Sequence, residues 1–170
     1  MNETKKSNQR IVKFQMTGSL REETLSDLLS AAMSIDCGFD FWKWNEDEYK
    51  KAKASVCGDE DRHEPPCMED VLARLLFDGG KLSLLEKDSG WHWKNHGEDE
   101  ILLPYQIKKE EIEPVGGTWH EVGLDDILKG VTRALEDNGW NDPQKLVDDG
   151  DSLTADAVFQ YAAYGEIMML

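Results

Sequence analysis

Apolar residues at Leu20, Leu25, Leu28, Leu29 and Ala32 return every three to four positions. This spacing predicts an amphipathic helix over 20–33. Ser19 is placed to cap it, with Glu22 and Glu23 in its first turn. The same periodicity returns at Met68, Val71, Leu72, Leu75 and Leu76, and Asp78-Gly79-Gly80 stops it. The clearest helix runs from Gly123 to Asn138. Leu124, Ile127, Leu128, Val131 and Leu135 form one face, Asp125 and Asp126 suit its start, and Gly139 its end. A last helix is expected from Thr154, as its cap, to about Tyr164, with Ala157, Val158, Tyr161 and Ala162 as its apolar side.

Between these helices the pattern shortens. Ile11 to Met16 mixes β-branched and aromatic residues and predicts a strand. Phe39 and Phe41 alternate with Asp40, and Leu82, Leu84 and Leu85 follow a glycine turn. A further strand is expected at Gly116–Val122, and an edge strand at Ile101–Tyr105, where Pro104 bars a central position. Glu46 to Ala54 is a charged stretch compatible with a short helix, and Ile167 to Leu170 with an edge strand. The hydrophilic regions 55–67 and 88–114 read as a loop and an insert. The order of elements predicts one α+β domain over 1–170: a small, mostly antiparallel sheet with three to four helices packed on it.

Composition supports folding. Six Trp, five Phe and four Tyr are too many for a disordered acidic chain. No apolar leader opens the sequence and no run is long enough to span a bilayer. With three cysteines, widely spaced, no disulfide framework is indicated, so a reducing cytoplasm is the expected compartment.

Charge changes the picture most. The chain holds 35 acidic and 19 basic residues. Residues 1–53 are balanced, with nine of each, so all 16 net negative charges lie beyond them. Such a surface repels nucleic acids and anionic membranes over about a Debye length and attracts basic proteins. The bland alternative is that acidity serves solubility. Dense acidic runs occur at Glu98, Asp99 and Glu100, and at Asp142, Asp148, Asp149 and Asp151. The second lacks the alternation and final Glu of a calcium loop. Trp91 and Trp93 flank the first run. Tryptophans on a loop are the residues an interface exploits, although most Trp are buried.

Other chemistry has less support. Cys57, His63 and Cys67 stand in a C-x5-H-x3-C spacing that misses the usual zinc pairs, so no metal is expected. His92 and His96 are four apart in a stretch unsuited to a helix. Phe39, Phe41, Trp42 and Trp44 around Lys43 could stack bases, but core packing is the better reading. The sequence carries no P-loop, no G-x-S-x-G, no H-E-x-x-H and no G-x-G-x-x-G. Neither a cofactor nor an enzyme is indicated.

The C-terminal AVFQYAAYGEIMML, the helix ending in DGG before a Leu-rich strand, and W-x-E-V followed by L-x-D-I-L-K-G-V form a set. Together they resemble small acidic proteins carried by prophages and conjugative elements of gut bacteria. The resemblance covers Met68–Leu85, Trp119–Gly130 and Asp156 to Ile167. The loop from Cys57 to Cys67 and the insert from Asp88 to Pro114 are longer than that group suggests. The resemblance implies a context, interference with host defence in the manner of anti-CRISPR proteins, but no catalytic residue. The expected partner is then a basic nucleic-acid-binding host protein such as a CRISPR effector nuclease. The expected contacts are the two acidic runs, with Trp91 and Trp93. Two other classes stay open: a sponge for a defence signal nucleotide, and an accessory protein of the element.

Overall fold

A computed structural model describes residues 10–13, 18–35, 38–59, 64–87, 90–94 and 107–168. The fold is α+β, with six α-helices and a small antiparallel sheet among the described residues. Strands β3 (Phe39–Trp44), β4 (Leu82–Glu86) and β7 (Trp119–Val122) pair antiparallel in the order β3-β4-β7. Leu84 of β4 faces the helices, while its neighbour Leu85 faces the other way. The strand is thus buried on both faces, which is why its apolar residues run together instead of alternating.

On one face lie α1 (Glu22–Met33), α3 (Met68–Phe77), α4 (Leu124–Asn138) and α6 (Ser152–Tyr164). Their Leu25, Leu28, Leu72, Leu75, Ile127, Leu135 and Phe159 join Leu82, Leu84 and Val122 in one core. Helices α1, α3 and α4, all expected from periodicity, supply most of it. Helix α6 adds Phe159, which no part of the expected apolar side included. Its Ala157, Tyr161 and Ala162 are only half-buried, whereas Asp156 and Gln160 are buried. Asp156 accepts from the Gly38 amide (3.2 Å) and from Gln160 Nε2 (2.6 Å), so two polar side chains occupy the place of apolar ones. Gly130 lets α4 lie directly on the α6 backbone at Val158 and Ala162.

The other sheet face is covered by the predicted insert. Strands β5 (Trp91–Trp93) and β6 (Ile112–Pro114) pair antiparallel. Ile107 and Ile112 bury against Phe41 and Leu85, with Trp93 and Trp119 packed around them. A charged clasp adds to this contact. Lys109 Nζ donates to Ser83 Oγ (2.8 Å) and pairs with Glu121, while Ser83 Oγ donates to Glu121 Oε1 (2.6 Å). Phe39 and Phe41 are core residues, so the packing reading of that aromatic run holds.

Several local expectations need correction. Helix α1 begins at Glu22, and Ser19 does not cap it. Ser19–Arg21 forms β2, which pairs with β1 (Ile11–Lys13), and its backbone is committed to that ladder. Helix α2 (Glu46–Cys57) runs past Ala54, with Asn45 capping the amides of Asp47 and Glu48. The cap of α6 is Asp151, which accepts from the Thr154 amide at 2.8 Å; Thr154 is inside the helix. Ile167 and Met168 are in no strand, and Met168 N bonds Gln160 Oε1. The connector 141–151 contains a short helix, α5 (Lys145–Asp148). The expected strand at Ile101–Tyr105 lies outside the described residues. Among the described residues no helix is long and apolar enough to cross a membrane.

Candidate partner-binding surface

The run Asp142, Asp148, Asp149 and Asp151 lies on the connector between α4 and α6, and all four residues are exposed. Local chemistry gives this connector a definite shape. Pro143 and Leu146 are buried, anchoring it to the helical core. Asp142 Oδ1 accepts from the Gln144 amide (3.0 Å), and Asp148 Oδ1 from Gln144 Nε2 (3.0 Å). Asp149 sits 3.5 Å from Lys145 Nζ, an exposed i,i+4 pair worth little. At Gly150 a side chain would collide with the Leu146 carbonyl, so only glycine permits the close turn between Asp149 and Asp151. Asp151 spends one oxygen on the α6 cap, and those hydrogen bonds from Thr154 hold its carboxyl below the ordinary range.

The structure adds carboxylates that sequence reading passed over. Glu23 and Asp27 are exposed, one turn apart on α1, the helix that packs against α5. Partial burial pushes the Asp27 carboxyl up, and repulsion from Glu23, Asp70 and Asp148 adds to it. Asp27 and Asp148 therefore belong to one negative field although 120 residues separate their segments. The i,i+4 acids were readable in the sequence; their nearness to Asp148 is tertiary.

The second expected patch is only partly described. Glu98, Asp99 and Glu100 lie outside the described residues. Trp91 and Trp93 lie on β5 and not on a loop. Trp93 packs in the second apolar cluster, and Trp91, 38% exposed, meets Phe41 edge-to-face at 4.9 Å. Trp91 thus keeps some surface for a partner, while Trp93 is half-buried. Their hairpin covers the sheet face opposite the helices, so these tryptophans and the 142–151 connector belong to opposite layers.

Cys57 ends α2 and Cys67 precedes α3, both exposed as free thiols; Cys37, His63 and His96 lie outside the described residues. Among the described residues no three His, Cys, Asp or Glu converge to hold a metal ion. A cleft of about 460 Å³ opens beside the acidic connector, between Ser19, Arg21 and Thr24 on one side and Asn141, Asp142 and Gln144 on the other.

No protein-family profile matches the chain, and no curated protein and no solved structure matches it.

Proposed function

We propose that the protein is a non-enzymatic inhibitor that binds a basic, nucleic-acid-handling host protein and occupies the cleft meant for nucleic acid. A CRISPR effector nuclease in the host cytoplasm is the partner class that its sequence resemblance favours. The observation that carries this reading is the joint field of Glu23, Asp27 and Asp148, with Asp142 and Asp149 beside it on the ordered connector. Folding alone gains nothing from holding Asp27 partly buried among like charges, since burial first, and repulsion after it, push its carboxyl up. A partner with Arg and Lys in the geometry of phosphate contacts would relieve the repulsion. Steering by such a patch raises association rates and weakens as salt rises.

Affinity purification from a host lysate, read by mass spectrometry, tests the proposal. The expected result is a basic nucleic-acid-binding protein whose capture falls with ionic strength. Capture should also fall for the triple variant Asp148→Asn, Asp149→Asn, Asp151→Ser, in which residue 151 remains a capping type. Recovery of no such partner, with phage and plasmid interference unaltered in cells expressing the protein, would favour the accessory-protein reading instead.

A further inference from the structure

The cleft beside the connector has a built floor and an unused rim. Thr24 is 3% exposed, and its hydroxyl donates to Gln144 Oε1 at 2.8 Å. The Gln144 backbone amide is held by Asp142 Oδ1 at 3.0 Å. These bonds join the start of α1 to the 141–144 turn across 120 residues of sequence, so the floor is fixed by the fold. At the rim, Ser19, Arg21 and Asn141 line the same space. Among the described residues none of the three has a side-chain hydrogen bond or ion pair. Arg10, Arg74 and Arg133 each pair with a carboxylate; among the described arginines Arg21 does not. Its guanidinium forms no bond at the start of α1, where residue 21 acts through its backbone alone.

We infer that this cleft binds a nucleoside monophosphate. A guanidinium fork matches two oxygens of a phosphate, and the Ser19 hydroxyl and Asn141 amide add donors. Asp142 supplies an acceptor for a ligand hydroxyl pair or amino group. The volume, about 460 Å³, falls within the range of small-ligand pockets, which is about 300–1,000 Å³. One cation beside one carboxylate suits a single phosphate on a body that donates hydrogen bonds. A second or third phosphate would meet Asp142 and be repelled. The site shares Asp142 with the partner-binding surface but turns on Arg21, which is not one of the carboxylates on which that proposal rests.

Titration calorimetry on the whole chain tests it. The probes are the nucleoside 5′-monophosphates, their nucleosides, the matching triphosphates and inorganic phosphate. At least one monophosphate should bind, with the nucleoside and the triphosphate each about tenfold weaker or more. Arg21→Ala should lose about tenfold or more, and Arg21→Lys should recover part of it. The Arg21→Ala protein should melt with the wild type, since the side chain makes no bond that folding uses. Absence of binding by every monophosphate at millimolar concentration would overturn the inference. So would equal binding of inorganic phosphate, or binding unchanged in Arg21→Ala.

Discussion

Gly130→Ala sets two effects of opposite sign against each other. Helix propensity alone favours alanine by about 1 kcal/mol. Packing opposes it. A Cβ at residue 130 would stand 3.1 Å from the Val158 carbonyl carbon and 3.2 Å from the Ala162 amide nitrogen, and closer still to the Val158 carbonyl oxygen. The obstacle is backbone of α6, which cannot rotate away like a side chain. The helices must part by on the order of 1 Å, and such a gap forfeits a quarter to a half of each contact across it. Ile127, Val131, Ala134 and Val158 all lie buried at this face or beside it. Overpacking of this kind costs about 3 kcal/mol, so the net loss is about 2 kcal/mol after the propensity gain. For a chain of this size that lowers the melting temperature by about 4–8 °C. Thermal unfolding followed by circular dichroism reads it, with Lys129→Ala as control. Lys129 lies on the exposed side with a weak Asp126 pair, and its loss should matter little. A Gly130→Ala protein as stable as the wild type, or more so, would refute the close α4–α6 contact.

Three further outcomes are expected. Phe159→Ala, which empties a fully buried aromatic site where α6 meets Trp42, should cost about 3–5 kcal/mol in denaturant unfolding. Glu86 is held below the ordinary carboxylate range first by its hydrogen bond with His120 (2.8 Å), and further by Thr118. Its contribution is therefore present above the unfolded carboxyl pKa and is lost as pH falls through the depressed folded value. Glu86→Gln should flatten the acid side of the stability–pH curve, and an unchanged curve would count against this pairing. For Asp27 the sign reverses. Its raised folded pKa means that the ionised form weakens the fold as pH rises through that value, so Asp27→Asn should raise the melting temperature at pH 7. The same change should weaken partner capture; improved stability with undiminished capture would remove Asp27 from the surface.

Helix α4 was legible because its apolar period is unbroken from Leu124 to Leu135 and its ends carry acids and glycine. The paired apolar residues Leu84 and Leu85 carried a further hint, a strand buried on two faces, but the cover for the second face was hidden. Residues 88–114 are mostly polar, and the two buried ones among those described, Ile107 and Ile112, have no period. The start of α1 was misread because pairing of Ser19–Arg21 with Ile11–Lys13 is not a local property. On α6 the buried Asp156 and Gln160 broke the apolar pattern, and their role depends on Gly38, far away in sequence. The acidic run at 142–151 was visible as density. Its alignment with Asp27, and the cleft that Arg21 shares with Asn141, exist only once α1 and the connector are brought together.

The central claim is that carboxylates on α1 and the connector take the place of phosphates on a basic partner. Its most direct test is competition on the captured partner: whether that protein, once bound to this chain, still binds its nucleic acid. The account predicts mutual exclusion, with nucleic acid displaced by the wild-type chain and much less by the Asp148, Asp149 and Asp151 triple variant. A stable ternary complex, or equal displacement by the variant, would contradict it.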